Sequence, residues 1–203
     1  MKQIMILVLC LLLAPLTHAA MAEPATLRSE EGTIRDTTNT VLEQLEAQRE
    51  RLKSDPAYIQ ELVRELIVPH FDFALMSQLV MGRYWSKFDL RQQQCFIAGF
   101  RNMLVERYAY ILLSYDQHEI RYDAPEDIGS QGLRLVRQTV SREGAKPLPI
   151  EYAMERMDDE WKVADLIIDG ISLVRSHRGM FQSRVMAQGQ DFFLESFSEC
   201  ADL

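Results

Sequence analysis

From Glu30 to Tyr115 the apolar side chains recur every three or four residues, and from His118 to Ile168 they recur every second residue. The first period predicts helices and the second predicts strands. Ile34, Val41, Leu45 and Leu52 place one amphipathic helix over Glu30 to Lys53. A second helix starts after Ser54-Asp55, with Pro56 in its first turn, and stops ahead of Pro69, because the residue before a proline is pushed out of the helical region. A short third helix spans Phe71 to Met81, where eight of eleven residues are apolar and point nearly all round the axis, and Gly82 ends it. A helix of that kind is buried on most sides. The longest helix starts at Asp89, whose side chain can cap it, with Gln92 completing a capping box. Its apolar face is Phe96, Phe100, Leu104, Tyr108, Ile111 and Leu112.

Four strands are predicted, over 118–123, 133–142, 148–157 and 161–168. The turn signals between them are Gly129 and Gly132, then Gly144 with Pro147, then Asp158-Asp159. Links this short favour antiparallel hairpins. Leu148, Ile150, Tyr152 and Met154 should share one face of the third strand. Trp161, Val163, Asp165 and Ile167 should share one face of the fourth. Two helices follow, one entered through Gly170-Ile171-Ser172-Leu173-Val174 and one over Gln190 to Glu199. The expected fold is therefore α+β, with N-terminal helices and two C-terminal helices packed on a four-stranded antiparallel sheet that encloses an apolar cavity. The helical part is 30–115, the sheet 118–169 and the C-terminal helices 171–199, in one domain over 23–203.

The N-terminus changes where this domain is expected to work. Lys2, the apolar run Ile4 to Leu16 and the small residues Ala20-Met21-Ala22 read as a secretory signal peptide over 1–22. Cleavage is placed before Glu23, with Ala19/Ala20 as the alternative. The chain carries a formal charge of −8, and losing Lys2 makes it more acidic still. That balance argues against nucleic acid and against adhesion to an anionic membrane through net charge. In an exported chain Cys95 and Cys200 can form a disulfide, and two free thiols remain the other possibility.

Motifs for catalysis are scarce. There is no G-x-S-x-G, no H-E-x-x-H and no phosphate-binding glycine loop, and His70, His118 and His177 have no metal-ligand spacing. One enzyme reading stays open: Asp165, flanked by Val163 and Ile167, could act as a general base in a cone-shaped fold of the ketosteroid-isomerase type. The competing reading makes it a paired or capping carboxylate. What the chain has in excess is apolar volume.

Three stretches together carry a resemblance. They are "VPHFDFALMSQLVMGRYW", "QQQCFIAGFRNMLVERYAYIL" and "PIEYAMERMDDEWKVADLIIDGISLVRSHRGMF". In this order they resemble the MlaC / toluene-tolerance family of periplasmic phospholipid-binding proteins. Two stretches depart from that pattern: Ser176-His177-Arg178 stands where members often have Asn-Tyr-Arg, and Ala164 replaces a common aromatic. The resemblance implies a carrier with no cofactor and bound phospholipid as cargo. It implies a periplasmic location and traffic between an outer-membrane lipoprotein complex and an inner-membrane ABC transporter with a lipid-binding ring, maintaining outer-membrane lipid asymmetry. The protein is expected to act as a monomer. The expected lipid-binding wall is Phe71, Leu75, Met76, Leu79, Phe100, Leu104, Tyr108, Val136, Ile150, Tyr152, Val163, Ile171 and Val174.

Overall fold

The computed structural model describes residues 29–114, 119–129 and 132–189, together with Leu194, Glu195, Phe197 and Cys200. The expected signal peptide and most of the expected final helix lie outside the described residues.

The first predicted helix is two. Helix α1 (Glu30–Ala47) is capped by Ser29, whose Oγ accepts from the Gly32 amide at 3.0 Å. Helix α2 (Arg49–Ser54) follows after Gln48, whose φ of −100° and ψ of 12° leave the helical region. Neither Pro nor Gly marks that break, so the sequence pattern runs straight through it. Helix α3 (Tyr58–Leu66) buries Ile59, Leu62 and Val63 on one face. A 3-10 turn over Val68–His70 then leads to helix α4 (Phe73–Met81).

Helix α4 starts two residues later than the sequence suggests. The Asp72 side chain caps it, accepting from the Leu75 amide at 2.8 Å. Phe71 stays extended and makes a parallel bridge with Val163, and the Asp72 amide donates to the Val163 carbonyl at 2.9 Å. The head of α4 is thereby stitched to the edge of the sheet. Gly82, at φ 53°, ends the helix in a conformation that L side chains avoid. The long helix α5 (Leu90–Tyr108) has the expected Asp89–Gln92 capping box, and a 3-10 segment, Ala109–Ser114, continues it.

The sheet has six strands where four are expected. They are β1 (Glu119–Tyr122), β2 (Glu126–Ile128), β3 (Leu133–Ser141), β4 (Leu148–Met157), β5 (Glu160–Ile168) and β6 (Ile171–Ser172). The order is β1-β3-β4-β5-β6, all antiparallel, with β2 pairing the first part of β3 while β1 pairs its end. The two additional strands hold three and two residues, too few for a period of two to show. Asp158 and Asp159 turn the β4–β5 hairpin at φ 46° and 67°, as a two-residue hairpin of this hand requires.

A β-bulge corrects one face assignment. Ala153 pairs with Asp165 but Met154 pairs with Val163, so Ala164 is an extra residue in β5. Beyond it the side-chain alternation is shifted by one. Val163 lies on the face of Tyr152 and Met154, whereas Asp165 and Ile167 lie on the opposite face with Ala153 and Glu151.

Three apolar clusters form. The largest joins α4, α5, α6 (Leu173–Gln188) and the chain near Phe197, around Phe96, Phe100 and Phe181. A second joins α2, α3 and the end of α5, around Ile59, Leu62 and Val105. The third lies between α1 and the sheet, with Ile34, Val136, Met154 and Val163. Phe71 packs against both the first and the third. Cys95 and Cys200 are joined by a disulfide, with Cα atoms 5.3 Å apart. It pins the C-terminal end against α5, where Phe197 lies so close to Gly99 that a Cβ there would come within 2.4 Å of its ring.

Candidate functional site

Helix α1 lies across the apolar face of the sheet. Ile34 packs there with Val136, Met154 and Val163. The flanking contacts are polar: Arg134 Nε meets Glu30 Oε1 at 3.0 Å, and the Arg35 guanidinium lies 4.2 Å from the centre of the Tyr122 ring. Beneath the helix sits a buried polar group. The Tyr152 hydroxyl donates to Gln138 Oε1 at 2.6 Å, and Gln138 Nε2 reaches Tyr122 at 3.4 Å and Thr38 Oγ1 at 3.5 Å. Burial pushes the Tyr152 phenol well above its ordinary pKa, so it stays a neutral donor.

On its other side α1 faces α3. Val41 and Leu45 of α1, Ile59, Leu62, Val63 and Leu66 of α3, Ile67, and Leu112 line an apolar seam between the two helices. It is too narrow in this conformation to admit even a water molecule. Leu66 also borders a second, wider cleft of about 420 Å³, rimmed by Asp36, Thr37, Asn39, Thr40, Glu65, Pro69 and His70. The polar cleft and the apolar seam thus meet at Leu66, with α1 forming a wall of both. Of the 18 residues of α1 the buried ones are Thr33, Ile34 and Val41, so this wall is lightly anchored.

The thirteen sequence-derived wall residues do not form one surface here. Met76, Phe100, Leu104 and Val174 pack into the helical cluster, with Tyr108 against them. Val136 and Val163 belong to the cluster under α1, with Tyr152 against them, and Phe71 bridges the two groups. Leu75 and Ile150 are half-buried. Leu79 and Ile171 face outward, 40% and 62% exposed. The sequence reading missed the cleft between α1 and α3. Its signal was the spacing of Val41 and Leu45, which served there only to define a helix.

Asp165 is held by the start of α6. Its Oδ2 accepts from the Ser172 hydroxyl at 2.5 Å and its Oδ1 from the Val174 amide at 3.0 Å. With both oxygens engaged at the start of α6, it is placed as a capping carboxylate. His177 is buried, its Nδ1 2.8 Å from the Leu173 carbonyl and its ring among Phe100, Tyr108 and Phe181. Among the described residues no group of His, Cys, Asp and Glu is arranged to hold a metal ion.

The profile of the MlaC protein family matches residues 35–199. The chain belongs to the MlaC family. It is 28% identical over 160 residues to the toluene tolerance protein ttg2D of Pseudomonas putida, covering 78% of this chain and 74% of that protein. It is 21% identical over 160 residues to the intermembrane phospholipid transport system binding protein MlaC of Haemophilus influenzae, covering 77% and 75%. The fold matches a phospholipid-binding protein from Ralstonia solanacearum, solved in complex with a phospholipid. That match has a TM-score of 0.72 and 26% identity, and covers 85% of this chain and 98% of that one. The MlaC fold is thus the α+β arrangement described above.

Proposed function

We propose that this protein is a periplasmic carrier that shuttles glycerophospholipids between the outer and inner membranes and so maintains outer-membrane lipid asymmetry. The observation that carries the reading is the apolar seam beside α1, with a polar cleft adjoining it at Leu66, in a chain of the MlaC family. The solved Ralstonia relative, bound to a phospholipid, supports it.

A carrier is a physical necessity for such cargo. Two acyl chains hold roughly 30 methylenes, and exposing them to water costs about 25 kcal/mol. The protein must offer a dry interior nearly as favourable as a bilayer. In the closed conformation described here the apolar space holds no chain, so loading requires α1 to move away from α3 and from the sheet. Burial of Ile34 and Val41 opposes that movement by only about 1.5–3 kcal/mol each. The acyl chains then lie between the sheet residues Val136, Ile150, Tyr152 and Val163, with Phe71, and the α1–α3 residues Val41, Leu45, Leu62 and Leu66. The head group stays at the mouth near Asp36, Glu65 and His70. Its two partners in this traffic are the outer-membrane lipoprotein complex and the inner-membrane ABC transporter with its lipid-binding ring.

Incubation of the delipidated protein with vesicles holding a fluorescent phospholipid tests this directly. The carrier reading predicts labelled lipid in the aqueous phase at a stoichiometry approaching one per protein. Label that stays wholly in the vesicles while the protein remains folded contradicts it.

A further inference from the structure

The chain is acidic, yet its charge is segregated. Residues 73–88 and 170–189 hold Arg83, Lys87, Arg175, Arg178 and Arg184 and no Asp or Glu, in a chain of net charge −8. These segments are α4 with the turn that follows it, and α6 with its entry strand. They pack on each other: Gln182 Nε2 donates to the carbonyls of Val80 at 3.0 Å and Met81 at 3.2 Å, where α4 ends. The Arg178 guanidinium lies beside Gly82, its Nη2 3.0 Å from where a Cβ would be. Met76, Val80, Val174, Phe181 and Val185 turn inward, and all five cations are exposed.

Several cations elsewhere are matched by acids, as in Arg35–Glu31, Lys53–Glu50, Arg137–Glu126 and Arg156–Asp159. Among the described residues Arg83, Arg175, Arg178 and Arg184 form no ion pair; Arg83 donates to its neighbour Tyr84 at 3.1 Å. Met186 lies three turns beyond Arg175 on the same side of α6 and is 71% exposed. Leu79 is exposed on α4.

We propose that this face seats the protein on an anionic bilayer surface. Arg83, Arg175 and Arg178 present forked donors to lipid phosphates, and Leu79 and Met186 enter among the head groups. An anionic surface repels most of the molecule and attracts this face, so the same field that draws it in also orients it. The apolar side chains set among the arginines suit lipid. The purpose of the contact rests on the carrier reading, but the contact itself is measured without it.

The test is flotation of the whole mature protein with vesicles of phosphatidylcholine, alone or containing phosphatidylglycerol. Binding is expected to the phosphatidylglycerol vesicles, at least about tenfold above phosphatidylcholine alone, and to fall as salt rises. Arg83→Glu with Arg175→Glu should lower it about tenfold, while Lys53→Glu with Arg121→Glu, an equal charge change on α2 and on the sheet edge opposite β6, should not. Wild-type binding that ignores vesicle charge, or an equal loss from Lys53→Glu with Arg121→Glu, overturns the proposal. So does binding only to native membranes that carry protein, lost in the arginine variant: the face then docks an acidic protein. Lipid content of the same preparations reports separately on the carrier reading.

Discussion

Asp165 Oδ1 accepts a hydrogen bond from the backbone amide of Val174 at 3.0 Å, tying the middle of β5 to the first turn of α6. Together with the Ser172 hydroxyl on Oδ2, this places a carboxylate where the helix dipole favours negative charge. Asp165→Ala should therefore cost about 2 kcal/mol, read from urea unfolding, because it removes a charged cap and leaves an orphan amide. Asp165→Asn keeps an acceptor and should cost less. Both variants should retain bound lipid. Loss of lipid from a folded Asp165→Asn protein would instead make this residue part of the site.

Leu66 borders both the apolar space and the polar cleft. Leu66→Trp should fill the junction between them and lower lipid occupancy several-fold, with a change in Tm of only a few degrees. Ile171→Glu, at an outward position, should leave occupancy unchanged. The reverse pattern in extracted lipid would move the site to the α4–α6 side.

Glu155 has a buried Oε1 without a hydrogen-bond partner. Its register partner Lys162 is directed to the Pro69 carbonyl at 3.0 Å and to Glu160 at 2.5 Å. Burial, and then the neighbouring Asp72 carboxylate, raise the Glu155 pKa above its ordinary 4.5. The folded state thus favours protonated Glu155. The stability this contributes is complete below pH 4.5 and is lost as pH rises through the raised folded value. Glu155→Gln, whose amide can donate to Asp72, should remove this loss. Urea midpoints from about pH 4 to about pH 7 should fall more for wild type than for the variant; parallel curves would show that the carboxyl is not held protonated.

Cys95 and Cys200 are 105 residues apart and hold the C-terminal end over the helical core. Cys95→Ser with Cys200→Ser should lower unfolding stability by about 2–4 kcal/mol. An unchanged denaturation midpoint under non-reducing conditions would show that packing around Phe197 suffices alone.

The periods of three-to-four and two, with Pro56, Gly82, the Asp89–Gln92 box and the Asp158-Asp159 turn, were enough to draw the helix and hairpin order. They could not show Gln48, where α1 breaks with no proline or glycine, nor Ala164, an ordinary strand residue that becomes a bulge only through its pairing. That bulge is why Asp165 and Val163, two apart in sequence, leave opposite faces. The site was less legible than the fold. Apolar residues such as Met76 and Val41 look alike in sequence whether they fill a core or line a cleft. Only the placement of α1 against α3 separates the two roles.

Native mass spectrometry of the protein purified gently from a bacterial periplasm tests the central claim most directly. The account predicts a folded monomer carrying the added mass of one glycerophospholipid, released on organic extraction. A folded monomer at its bare polypeptide mass, with no phospholipid in the extract, would contradict it.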